Sequence, residues 1–427
     1  MSKLNQIEYP RISEKLFYSQ LKNGMKLVIL PKKMFAEKSA MLTVNFGSIY
    51  NRFTSRKRLV EAPEGLAHFL EHKLFEGDSG QDLSLKFTDL GADVNAFTTF
   101  DKTSYYFSGT SRFMESLTLL QELVMTAHFT EESINREKKI ISQEIDMYSD
   151  DPDYQSYIGI LQNLFPNSSL SKDIVGTKDS ISEIDCALLQ RHYRQFYYPA
   201  NMTLIISGDL DPQEVLDGII EGQKSIRVNR LSRFELQALD YNPVIRSNSI
   251  AMDIVTPKLV VGYRGQKLSS EKSLMEYKIA LKFLLAMLMG WTSKTYQDWY
   301  NDSKIDDSFD IEIEIQHDFS FILISMDTSE PIAMSSRVRK KIAHFLKSKD
   351  INNGHLSILK REMFGDFMQG LDSIDHLMNQ FNLFLSDNEN FYDVPDLIDT
   401  MTLERILEIG QEFFGTADIS DFTVFPK

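Results

Sequence analysis

Two histidines four residues apart, with a glutamate just before the second, constrain this 427-residue chain more than any other feature. The run is His68-Phe69-Leu70-Glu71-His72. On a helix, residues four apart project from one face, so both imidazoles can reach a single metal ion. Glu71 stands where its carboxylate can reach a water on that metal without ligating it. Pro63 suits the first turn of such a helix, because its missing N–H would find no partner there anyway.

Composition limits what that helix can belong to. The chain is too long for one ordinary core, and its length predicts two or three domains. A formal charge of -15 disfavours nucleic acid or an anionic membrane surface as partner, since binding phosphate needs a positive field. The single cysteine, Cys186, excludes an intramolecular disulfide and any cysteine-based zinc site. The first residues contain no apolar signal core, and no apolar run is long enough to span a bilayer, so a cytoplasmic location is expected.

Along the chain, Phe17 to Pro31 alternates around Asn23-Gly24 and predicts a hairpin with a two-residue turn. A β-rich run at 40–50 precedes the motif helix. A helix is expected over 81–90, then paired strands over 93–110, then helices over 112–128 and 131–148 that Asp150-Asp151-Pro152-Asp153 should end. The run 202–208 reads as a strand and 211–222 as a helix. Residues 227–249 show neither period and are expected to link two parts. The second part repeats the outline of the first, with a strand near 260–263, helices over 277–289 and 292–300, strands over 309–316 and 319–327, and a helix over 333–346. Laying 282–288 over 68–74 keeps the apolar positions and replaces every polar one. The second half is thus expected to carry the scaffold without the metal chemistry, and repeats of this kind leave crevices between copies.

A catalytic zinc ion usually has three protein ligands, and the motif supplies two. The helix over 131–148 offers Glu137 and Glu144, seven apart and on one face, so that one can bind metal while the other supports from behind. The remaining histidines, His128, His192, His317, His344, His355 and His376, are isolated and are expected in core or surface roles.

Taken together, these residues resemble the metal signature of the pitrilysin, insulysin and mitochondrial processing peptidase family, in which H-x-x-E-H precedes a seven-spaced glutamate pair. The resemblance covers the whole chain, most strongly its first half. It implies an α+β fold of two homologous domains, each a mostly antiparallel sheet packed against helices. The zinc-binding peptidase domain would span 1–228, a linker 229–249, and a domain without metal ligands 250–427. One Zn²⁺ per chain would be held by His68, His72 and Glu144, with Glu137 behind a ligand and Glu71 as the general base. Asn95-Ala96-Phe97-Thr98 resembles the family's edge strand, which implies that Asn95, Ala96 and Phe97 bind peptide substrate. Tyr198-Pro199-Ala200-Asn201 resembles its strand entry.

In size the chain is similar to the half-size bacterial members, which pair. The family's catalytic pairs use an Arg and a Tyr seven apart, and the aligned positions here hold Tyr300 and Asp307. The resemblance therefore implies a non-catalytic homologous subunit that supplies the Arg/Tyr pair, with a homodimer as the alternative. The expected function is a zinc-dependent endopeptidase subunit that hydrolyses peptides or processes a small precursor. A non-proteolytic assembly or binding subunit is the rival reading. The intact general base disfavours it.

Overall fold

The structure, a computed structural model, describes residues 3–55, 57–78, 80–226, 228–229, 233–385 and 389–427. By contact these sort into two compact units, each assembled from three stretches of chain. The first comprises Met1–Ile145, Asp173–Gln237 and Gln369–Asp387, and the second Asp146–Lys172, Ala238–Met368 and Asn388–Lys427.

Among the described residues the first unit holds ten strands: β1 (Asn5–Tyr9), β2 (Glu14–Gln20), β3 (Lys26–Pro31), β4 (Lys38–Val44), β5 (Arg52–Ser55), β6 (Arg58–Glu61), β7 (Ala92–Thr98), β8 (Thr103–Gly109), β9 (Met202–Gly208) and β10 (Phe234–Leu236). Seven form a sheet in the order β1-β2-β3-β9-β4-β8-β7, and β10-β5-β6 form a small one. Only β3 and β9 run parallel; the other neighbours in the large sheet are antiparallel. The central strands are apolar on both faces, as strands covered on both sides must be. Leu27, Ile29, Leu42, Leu204 and Ile206 enter the main core with α1 (Leu66–Leu74), α2 (Leu83–Asp89) and α3 (Phe113–Met125). The alternate residues turn to the opposite face, where the helix Ile374–Phe384 packs on β4 and β9. Buried Asn382 on that helix accepts a hydrogen bond from Thr43 Oγ1 at 2.9 Å and donates to Ser104 Oγ at 3.1 Å.

Between β2 and β3 the turn is longer than the two residues expected. Leu21 and Met25 close it with an N–H···O bond of 2.9 Å, leaving Lys22, Asn23 and Gly24 in the loop. Gly24 takes φ +93°, and Asn23 Oδ1 accepts the Met25 amide, so the Asn-Gly signal is used one residue out of the expected register. Asp150-Asp151-Pro152-Asp153 likewise does more than end α4 (Glu131–Ser149). Asp151 caps a new helix, α5 (Pro152–Leu164), by accepting from the Asp153 and Tyr154 amides, with Pro152 at its first position.

The second unit repeats the first unit's sheet. Strands β11 (Ser247–Met252), β12 (Lys258–Arg264), β13 (Asp310–Ile315), β14 (Ser320–Asp327) and β15 (Asp418–Pro426) lie in the order β11-β15-β12-β14-β13. This matches β3-β9-β4-β8-β7 strand for strand, including the one parallel pair, β11 with β15. The helix Leu274–Met289 falls between β12 and β13 as α1 falls between β4 and β7. Laid over α1 by sequence, this helix carries Lys282 and Ala286 at the positions of His68 and His72. The match extends to the covering helices. α5 packs on β12 and β15, as Ile374–Phe384 packs on β4 and β9. Each of these two helices belongs to the unit whose other elements lie farther away in sequence. Among the described residues no helix is long and apolar enough to cross a membrane.

Candidate metal centre

α1 is almost entirely core. Leu66, Ala67, Phe69, Leu70 and Leu74 are buried, and so are His68 and Glu71, at 7% and 8% exposure. A helix buried all round has no solvent face on which to leave polar groups, so these two must meet partners or a ligand. It begins at Leu66, three residues after Pro63, behind a cap formed by Gly65 with φ +83°. A Cβ on Gly65 would stand 2.6 Å from the carbonyl oxygen of Val175, so only glycine admits this entry.

α4 runs past α1 with a mostly solvated surface. Ile134 and Ile141 are its deeply buried apolar anchors, seven apart, and Glu137 and Glu144 follow each by three residues. The anchors set the helix's rotation and thereby turn both carboxylates toward α1.

His68, His72 and Glu144 come together as the sequence leads one to expect, each offering a ligand atom within 4.8 Å of the others'. Nε2 of His68 lies 3.6 Å from Glu144 Oε1, and Nε2 of His72 lies 3.6 Å from Glu144 Oε2. Glu137 stands behind His72, its Oε1 3.0 Å from Nδ1. That contact assigns the Nδ1 proton and leaves the Nε2 lone pair facing Glu144. Burial, with the neighbouring His72, pushes the His68 pKa down to about 3, so its imidazole is neutral and able to ligate. Burial also opposes charge on His72, but Glu137 outweighs it, with help from Glu71 and Glu144, and raises the pKa. Two imidazoles and a carboxylate in this arrangement fit a borderline divalent cation such as zinc, with a coordination position left for water.

Glu71 points to the same place. Burial raises its pKa above the ordinary carboxylate value, against the hydrogen bond from Thr98 Oγ1 at 2.5 Å. A cavity of about 490 Å³ adjoins it, lined by Glu71, His72, Phe75, Asn95, Arg136 and Glu137 among others. Asn95 therefore reaches the site. Ala96 and Phe97 sit on the same strand, β7, which ends the sheet and pairs with β8 on one side. The Ala96 amide is taken by Asn95 Oδ1 at 2.8 Å, and the Phe97 ring tilts against Tyr106 with centroids 6.2 Å apart.

Thr98 was missed as a partner of Glu71. Lys73 was missed as well: it is fully buried beside His72, ion-paired with Glu76 and 3.9 Å from Glu137 Oε2. Nothing local in the sequence marks either role, since both depend on which element packs against α1. Tyr300 is 45% exposed and stacks on Tyr296, and Asp307 is exposed. His192 is a core residue, with Nδ1 2.9 Å from Leu188 O and its pKa lowered by burial to about 4.

Comparison with known proteins agrees with this architecture. The family model described as Insulinase (Peptidase family M16) matches residues 27–178, and that of the peptidase M16 inactive domain matches 184–363. The uncharacterized zinc protease YmfH of Bacillus subtilis (strain 168) is 32% identical over 426 residues, 99% of each chain. The crystal structure of an M16-like peptidase from Alicyclobacillus acidocaldarius has a TM-score of 0.91 and 29% identity, over 99% of this chain and 100% of that one. The periplasmic protease PqqL of Escherichia coli shares the fold at a TM-score of 0.72 and 18% identity, over 96% of this chain but 48% of its own. With a relative of this identity along nearly its full length, the chain belongs to the insulinase family of peptidases, family M16.

Proposed function

We propose that this chain is a zinc-dependent endopeptidase subunit that hydrolyses peptides or processes a small precursor, with His68, His72 and Glu144 holding one zinc ion and Glu71 as the base. The observation that carries this reading is the convergence of those three ligand atoms beside a buried, hydrogen-bonded Glu71 at the mouth of a cavity. Zinc, when bound, supplies Lewis acidity toward the scissile carbonyl and makes water a nucleophile near neutral pH. Glu71 takes the proton of the attacking water and later delivers it to the leaving amine, a role typically worth about 10²–10⁴-fold. Thr98 holds one oxygen of Glu71, which leaves the other to receive that proton. Glu137 keeps His72 in the ligating tautomer.

Substrate lies as an extended strand along β7 at Asn95, Ala96 and Phe97, displacing the Asn95 side chain from the Ala96 amide. Main-chain pairing of this kind reads peptides with little demand on sequence. A homologous subunit completes the site with an Arg/Tyr pair. Support comes from Tyr300 and Asp307 standing at the aligned positions, and from this fold filling 48% of PqqL, whose chain has room for a second copy.

The test is Glu71→Gln, assayed for bound zinc and for cleavage of a peptide library, alone and with co-purified partner. The variant should hold one zinc per chain and lose cleavage by at least about 10²-fold. Turnover at the wild-type rate would sink the assignment. A wild-type chain without zinc or cleavage would favour a binding subunit instead.

A further inference from the structure

The first turn of contacts around His72 extends farther than one carboxylate. Glu137 presents Oε1 to His72 Nδ1 at 3.0 Å and Oε2 to Lys73 Nζ at 3.9 Å. Lys73 Nζ also pairs with Glu76 Oε2, and Glu76 Oε1 accepts from Arg136 Nη2 at 3.2 Å. The result is a line of alternating charge, Arg136, Glu76, Lys73, Glu137, that ends on the imidazole. Its middle member is the unusual one. Lys73 has 0% exposure, and taking an ammonium out of water carries a desolvation cost that an ion pair only partly repays. An apolar side chain of similar length would fill the same space in the core of α1 without that cost, so packing alone does not account for a lysine.

The two histidines also differ in their support. His68 Nδ1 is buried with no hydrogen-bond partner among the described residues, so no carboxylate orients that ring from behind. The orientation of His72 depends instead on Glu137, a carboxylate projecting from the partly solvated α4. A carboxylate tied at one oxygen can swing on its own χ angles. A buried ammonium facing the second oxygen at 3.9 Å, an ion-pair rather than a hydrogen-bond distance, opposes that swing by charge. Outer partners of a ligating histidine set its tautomer and ring orientation, and their loss typically weakens metal binding 10–100-fold.

We propose that Lys73 is a positioning residue of the metal centre: its buried ammonium, ion-paired with Glu76 and facing Glu137, holds by charge the carboxylate that orients His72 and so sets the affinity and geometry of metal binding. The proposal rests on the reading of this site as a zinc centre. Lys73 touches neither substrate nor metal. Its effect reaches the ion through two side chains.

The test compares wild type, Lys73→Met and the double variant Lys73→Met/Glu76→Gln. The double variant removes one positive and one negative charge together, so the charge balance is kept; Glu137 loses its facing ammonium, and the exposed Arg136 loses Glu76 but keeps Glu132. Zinc affinity is measured by chelator competition, the cobalt-substituted site by its visible absorption, and the metal-free fold by thermal unfolding. Both variants should bind zinc 10–100-fold more weakly with a changed cobalt spectrum, and the metal-free double variant should unfold like the wild type. Wild-type zinc affinity and cobalt spectrum in the double variant overturn the proposal. So does a loss of zinc that merely follows unfolding of the metal-free double variant, which would make Lys73 a structural residue. Absence of zinc from the wild type fails the zinc reading itself, a distinct result.

Discussion

Thr98 occupies the last position of β7 and donates to Glu71 Oε2, so the base is tied to the strand proposed to receive substrate. Replacing it with valine keeps the shape and the strand preference while removing the donor. A hydrogen bond to a charged group contributes about 1.5–3 kcal/mol, so Thr98→Val should lower kcat by about 10-fold or more with zinc content unchanged. Steady-state kinetics beside metal analysis check this; an unchanged kcat would mean that Glu71 needs no such anchor. His68, Glu71 and His72 were legible in the sequence because their arrangement follows from helix period, whereas the separate roles of Glu137 and Glu144 came from the family resemblance. Thr98 and Lys73 were not legible, because strand and helix periods say which face a residue takes but not what lies opposite. Glu312 on β13 makes the same point in the second unit. Burial, with Glu314 and Asp310 nearby, raises its pKa to about 7, against Lys278 and the hydroxyl of Tyr157. A raised carboxyl pKa means that the folded state holds a proton the unfolded chain has released. Stability from this group is therefore complete below about pH 4.5, falls as pH rises toward 7, and is flat above that, with a slope of at most about 1.4 kcal/mol per pH unit. Glu312→Gln should match wild type near pH 4.5 and be the more stable at pH 8. Denaturant unfolding at the two pH values would show it, and parallel pH profiles would contradict it.

At the scale of elements, the metal centre is a matter of two helices held in rotation and height. Ile134 and Ile141 set the rotation of α4, and Gly65 sets the entry of α1 against the carbonyl of Val175. The heptad spacing that seats α4 is visible in the sequence, whereas the glycine entry is not. Pro63 carries a start signal, but the chain must first turn through Gly65 at positive φ before it can enter the core. Gly65→Ala would force both a strained φ and a 2.6 Å approach to backbone, for which about 1–3 kcal/mol is the usual cost. Because the clash lies three residues from His68, the displacement should reach the ligands. The variant should lose both stability and zinc affinity, read from denaturant unfolding and chelator competition. Full zinc affinity in a destabilised variant would show that the rest of α1 holds its place without this cap.

Over the whole molecule, the duplication was legible and the exchange of helices was not. The repeat shows in sequence because the same succession of strand and helix periods occurs twice, and the sheets agree in order and sense. An amphipathic helix, however, announces only that it has an apolar face, and α5 and Ile374–Phe384 each pack on a sheet whose strands lie far from them in sequence. The second of these has a consequence for how the first unit folds. Ile374, Leu377, Met378 and Phe381 are at most 2% exposed. At about 1.5–3 kcal/mol for each large side chain buried, their removal would cost about 6–12 kcal/mol, comparable with the whole stability of a typical domain. It would also strip partners from Thr43 and Ser104. A fragment of residues 1–237 retains all four residues of the metal centre and its base but lacks that helix. It should aggregate, or unfold at far lower denaturant than the full chain, and bind zinc weakly. Supplying residues 369–385 as a separate peptide should restore part of both properties. A soluble 1–237 fragment with full-chain stability and zinc affinity would show that β4 and β9 close over without it.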